Sequence, residues 1–219
     1  MMSLLGVKYI LESKKGQLKD KQPTETRFPP EMFTRVWENS AWRIWQYTRA
    51  LPRVMFATSY IVRRNPQQII DALYDRSVRL NDTIVLEHMP PVPNGQTYLS
   101  NEAPIATLIS YDLNRVVIST VSPVDGFVLL TDNYYPGWTA TIDGKSTEIY
   151  RADYTLRAVA VAKGNHTVIF LYSPESFTVG AIVTGFGVLM SASVIIYMKR
   201  NTRYQKKKSN HAYRYPQSE

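Results

Sequence analysis

Apolar and polar positions follow three rhythms along this chain. Between 105 and 172, short β-branched and aromatic runs recur at near-regular intervals. They predict strands at Ile105–Tyr111, Arg115–Val121, Phe127–Asp132, Trp138–Ile142, Lys145–Tyr150, Leu156–Val161 and His166–Tyr172. Asp143-Gly144 between two of these runs is a strong hairpin signal, and Lys163-Gly164-Asn165 is a looser one. Strands so spaced argue an antiparallel sandwich rather than a parallel sheet.

The first half is less regular. LLGVKYIL at 4–11 suits a strand, and a polar stretch with Pro23, Pro29 and Pro30 reads as a loop. The aromatic-rich stretch that follows holds Trp37, Trp42 and Trp45, read as strand residues packing a small core rather than as base or sugar stackers. Beyond Pro52, residues 53–58 read as a strand. PQQIIDALYD at 66–75 reads as a short helix, with Ile69, Ile70 and Leu73 on one face, and TIVLE at 83–87 as a strand. Residues 89–104, with Pro90, Pro91, Pro93, Gly95 and Pro104, form a loop or linker.

The third rhythm is the absence of one. Phe177 to Met198 is a run of 22 residues with no charge, proline or amide side chain. At about 1.5 Å per residue it covers a hydrocarbon core of about 30 Å. A buried core helix of that length would normally show a polar face. Phe177 and Tyr197 mark its two ends, where aromatic rings favour the bilayer interface.

Charge orients this span. Of the 26 Lys and Arg in the 219-residue chain, seven follow it (Lys199, Arg200, Arg203, Lys206, Lys207, Lys208 and Arg214), against the single acid Glu219. That tail supplies +6 of the net +8, so the basic balance describes the tail and not the body. Basic residues beside a span mark the cytoplasmic side. The expected topology puts the body on the outer face of a membrane and the tail on the cytoplasmic side, with contacts to the lipid bilayer rather than to nucleic acid. The N-terminus MMSLLGVKYILESKK lacks the features of a signal peptide. An exported body then implies a C-terminal piece of a larger protein, with preceding transmembrane helices as partners.

Candidate chemistry is sparse. The chain has no cysteine, which excludes thiolate metal sites and disulfides, and three histidines make a histidine-rich metal site unexpected. No nucleophile elbow, zinc motif or phosphate-binding glycine loop is present, so no catalytic residue, metal site or cofactor is assigned to this chain. His166 reads as a surface or capping residue, and Asp132, Asp143, Asp153 and Glu175 cannot be paired from the sequence. The unusual stretch is Asp132-Asn133-Tyr134-Tyr135-Pro136-Gly137-Trp138. Asp132, Tyr134, Tyr135 and Trp138 form a candidate glycan-contacting loop, the alternative being a structural corner in which Trp138 plugs the sandwich. In the span, Ala181 with Gly185 and Gly187 with Ser191 are small residues four apart, suited to close helix packing.

LLGVKYIL at 4–11, ALPRVMFA at 50–57, TIVLE at 83–87, DNYYPGWTATIDGK at 132–145 and RAVAVAKGNHTVIFLYSPESFTVG at 157–180 occur in an order that resembles the C-terminal part of the YfhO family of bacterial membrane proteins. These proteins look like C-type glycosyltransferases. The resemblance implies many preceding spans, a polyprenyl-phosphate-linked sugar donor used by the parent protein, and sugar transfer onto cell-envelope glycopolymers such as teichoic acids. It places the catalytic acid in an early extracytoplasmic loop, to which nothing here corresponds, so this chain alone is expected to be inactive.

The resulting expectation is a mainly β protein: an antiparallel, jelly-roll-like β-sandwich extracytoplasmic domain with a short helix, followed by one C-terminal transmembrane helix. Its parts are an α/β portion at 1–88, a proline-rich linker at 89–104, a sandwich at 105–176, the span at 177–198 and a basic cytoplasmic tail at 199–219. The alternative function is a membrane-anchored glycan-binding or structural β-sandwich module.

Overall fold

A computed structural model describes residues 2–14, 27–99 and 102–212, with side chains as far as Arg203. The loop around Pro23 and the tail side chains Lys206, Lys207, Lys208 and Arg214 lie outside the described residues. The chain forms two compact units, residues 1–172 and 173–219.

The first unit is mainly β. In chain order its strands are β1 (Tyr9–Ser13), β2 (Phe33–Glu38), β3 (Trp42–Tyr47), β4 (Val54–Ala57), β5 (Ser59–Val62), β6 (Thr83–Leu86), β7 (Ile105–Tyr111), β8 (Arg115–Ser122), β9 (Gly126–Asn133), β10 (Trp138–Ile142), β11 (Lys145–Thr147), β12 (Tyr150–Ala152), β13 (Leu156–Val161) and β14 (Gly164–Tyr172). A short helix α1, Pro66–Tyr74, lies between β5 and β6. Its Asn65 cap accepts the Gln67 N–H at 2.8 Å, and proline opens the first turn, where no N–H is needed.

The strands form a three-stranded sheet β1-β3-β2, a five-stranded sheet β11-β10-β14-β8-β7 and a six-stranded sheet β4-β9-β13-β12-β6-β5. Among the described residues all pairings are antiparallel except β5 with β6, whose parallel register needs the α1 crossover. Strands β4, β5 and β6 therefore share a sheet with β9, β12 and β13, on the other side of the proline-rich stretch in sequence. Part of that stretch lies against the β5 edge: Asn94 accepts the Tyr60 N–H at 2.8 Å and donates to its carbonyl at 2.9 Å, as a neighbouring strand would.

The six-stranded sheet is apolar on both faces. Val54, Phe56, Val128, Leu130, Val159 and Val161 meet Val116, Ile118, Val168 and Phe170 of the five-stranded sheet. Met55, Ile84, Leu86, Phe127, Leu129 and Ala158 form a cluster on the opposite face, and Leu4 and α1 cover Val85. Two buried faces explain why GFVLL in β9 reads as a continuous apolar run rather than an alternating one. Gly126 opens β9 where the chain is closest: a Cβ there would sit 2.5 Å from the Ala57 carbonyl oxygen and 2.4 Å from Phe56.

Two expectations are corrected. The run 145–150 is not one strand: β11 pairs with β10, whereas β12 belongs to the six-stranded sheet, so the chain changes sheets at Glu148-Ile149. The three N-terminal tryptophans do not share a core. Pairing puts Trp37 and Trp42 on the same side as Ile44, and both rings are exposed. Trp45 faces the other way, stacked on Phe28 at 4.9 Å, with its Nε1–H donating to Glu12 at 2.9 Å.

The second unit is one helix, α2, running from Glu175 to Ala212. Its stretch 175–203 is long and apolar enough to cross a membrane, with its side chains directed outward and none buried.

Candidate functional site

Strand alternation brings Asp132 and Arg157 together. On β9, Val128 and Leu130 face the inter-sheet core, and Asp132 continues that side; on β13, Arg157 shares the side of Val159 and Val161. The Arg157 side chain is buried, and its Nη2 donates to Asp132 Oδ2 at 3.0 Å. The same oxygen accepts the Tyr111 hydroxyl at 2.9 Å, and Oδ1 accepts Arg53 Nη2 at 2.7 Å. Two guanidinium groups thus converge on one carboxylate. Burial pulls the Arg157 pKa down, and the Asp132 charge opposes that shift.

Aromatic rings complete the setting. The Arg157 guanidinium lies 4.0 Å from the Trp138 ring centre and 5.4 Å from that of Phe170. Trp138 is half-buried, packed on the inter-sheet core and tilted against Tyr172 at 5.3 Å. Gly137, at a φ of 97°, makes the turn that lets β10 begin with this tryptophan. Tyr134 and Tyr135 are exposed at 43% and 61%. Beneath them is a cavity of about 370 Å³ whose walls include Trp138, Thr147, Glu148 and Arg157.

The four loop residues named from the sequence therefore play different parts. Asp132 is turned inward as an ionic hub, Trp138 bridges core and cavity wall, and only the two tyrosines offer open ring surface. Arg157 was missed, although a lone charge in the apolar run LRAVAV was a readable signal. His166 and Asp143 support the hairpin: His166 Nδ1 is 2.6 Å from Asp143 Oδ2, and Asp143 Oδ1 accepts the Thr167 N–H at 2.8 Å. This contact raises the His166 pKa and lowers that of Asp143. On α2, Ala181, Gly185, Gly187 and Ser191 are exposed, and the Ser191 hydroxyl donates to the Gly187 carbonyl at 2.8 Å.

The described residues form a β-rich body and one helix long and apolar enough to cross a membrane. Residues 94–184 match the family described as Bacterial membrane protein YfhO. Over 102 residues the chain is 26% identical to "Uncharacterized protein YfhO" of Bacillus subtilis (strain 168), a stretch that is 47% of this chain and 12% of the relative. The likeness to the YfhO family of bacterial membrane proteins thus lies on residues 94–184, and the matched stretch is a small part of the relative's length. The motifs at 132–145 and 157–180 fall inside that match, and those at 4–11, 50–57 and 83–87 fall outside it. No solved structure matches.

Proposed function

We propose that this chain is the C-terminal extracytoplasmic domain and last span of a multi-span membrane protein that moves a sugar from a polyprenyl-phosphate-linked donor onto cell-envelope glycopolymers. In this reading the catalytic residues lie in preceding transmembrane and loop regions, and the Tyr134–Trp138 loop contacts glycan. The observation that carries it is the pair of exposed tyrosines above a cavity walled by Trp138, within the YfhO-matched stretch. Flat aromatic faces flanked by polar groups suit the apolar face and hydroxyl edge of a sugar ring. The basic residues that follow the span support a body on the outer face, where envelope polymers lie.

Sugar analysis of purified envelope polymers tests this reading. In the source bacterium, deleting the gene should remove one sugar substituent, and a chromosomal Tyr135→Ala should reduce it severalfold. Unchanged polymer composition after deletion would contradict the transferase reading.

A further inference from the structure

Arg157 has more hydrogen-bonding capacity than its surroundings use. A guanidinium carries five N–H donors in a rigid fork and keeps its charge at every physiological pH. Its Nη2 is spent on Asp132, whereas Nε and Nη1 are buried with no hydrogen-bond partner among the described residues. Orphaned donors on a buried cation are costly, and such groups normally acquire a partner. The local charge is also unbalanced, because Arg53 and Arg157 share the single carboxylate of Asp132. Arg157 forms part of the wall of the cavity beneath the tyrosine loop. Glu148, on the same cavity, has its carboxylate 3.1 Å from His88 Nε2.

We propose that this cavity binds a phosphorylated sugar, with the phosphate held by Arg157 and the sugar ring against Tyr134 and Tyr135. Whichever edge of the fork Asp132 occupies, a second edge with two N–H groups remains, and two parallel donors match two phosphate oxygens. The rings of Trp138 and Phe170 pack against the guanidinium and restrict it, so the recognition geometry is largely set before the ligand arrives. A cavity of about 370 Å³ has room for the charged end of such a ligand, a water in the liquid occupying about 30 Å³. The proposal rests on the glycan-contacting reading of the loop and adds the class of ligand.

The test uses the full chain in phosphatidylcholine nanodiscs, with the arginine Nε–H groups observed by NMR during titration with glucose 1-phosphate. The Arg157 Nε–H resonance should shift saturably. Affinity should exceed that for glucose by at least tenfold, and it should fall at least tenfold in Ser146→Glu, which adds a carboxylate at an exposed position on the cavity wall. A resonance that does not move, or equal affinity in Ser146→Glu, would overturn the proposal. Glucose binding as tightly as glucose 1-phosphate would overturn it too, while leaving the glycan reading standing. Inorganic phosphate binding as tightly as glucose 1-phosphate would remove both. In nanodiscs containing phosphatidic acid and no sugar, the resonance should stay in place; a shift there would transfer the site to a lipid headgroup and overturn the sugar component.

Discussion

Two buried ionisable groups lie close in sequence and are handled in opposite ways. Arg157, 2% exposed, faces the counter-charge of Asp132 and two aromatic rings. Asp153, 3% exposed, makes no ion pair among the described residues: its Oδ1 accepts the Val85 N–H at 2.8 Å, and its Oδ2 has no hydrogen-bond partner there. Burial accordingly pushes the Asp153 carboxyl up to about 7. An arginine cannot shed its charge, so the fold must supply a partner; an aspartate can, and burial makes this one hold its proton well above the usual carboxylate range instead. Its backbone explains why an acid sits there at all. Asp153 has a φ of 48°, which Asp tolerates better than most residues, and its own N–H donates to the Val85 carbonyl at 2.8 Å, so it links β12 to β6.

Removing the counter-charge should produce the largest effect. Asp132→Ala leaves Arg157 buried without its carboxylate, and breaking such a pair typically costs about 3–5 kcal/mol. Arg53→Ala removes the other guanidinium from the same carboxylate, but that side chain is 51% exposed, so its loss should cost under about 1 kcal/mol. Denaturant unfolding of the full chain in detergent, followed by near-UV circular dichroism, measures both. Equal losses would mean that burial does not separate the two pairs.

The pH dependence sharpens the other side of the comparison. The folded-state pKa of Asp153 is raised, so the folded protein holds its proton more tightly than the unfolded chain does. Stability from this group is therefore fully present below about pH 4 and is lost as pH rises towards about 7. The loss approaches about 4 kcal/mol, from roughly 1.4 kcal/mol per pKa unit. Asp153→Asn keeps the acceptor for Val85 and should flatten the slope between pH 4 and 7. A slope unchanged by the substitution would place its origin elsewhere.

Smaller effects are expected at the loop. Trp138→Ala should cost about 2–3 kcal/mol, below the 3–5 typical of a fully buried large aromatic, because this ring is only half-buried. Tyr134→Ala and Tyr135→Ala should stay within about 0.5 kcal/mol, as exposed sites do. Comparable Tm losses for all three would make the loop a structural corner.

How much of this was readable follows from the range of each interaction. Strands β7, β10 and β13 appear at the expected bounds, because alternation and turn residues are local signals. The Asp143-Gly144 hairpin is there too, with φ of 51° and 80° at its two turn positions. The break at Glu148-Ile149 was hidden, since a strand changing sheets keeps its β character on both sides of the corner. Likewise nothing local says that β4 pairs with β9, or that Arg53 reaches Asp132. The loop was visible as a cluster of aromatics. Its cation is not visible locally, because Arg157 lies in a strand and meets Asp132 only once β9 and β13 pair.

The body's sidedness decides whether the cavity can meet an envelope glycan at all, and protease protection measures it directly. In intact cells whose native gene carries a tag after Glu219, added protease should cut the body and leave the tag protected until the membrane is permeabilised. Loss of the tag with an intact body would put the tyrosine loop in the cytoplasm and contradict the account.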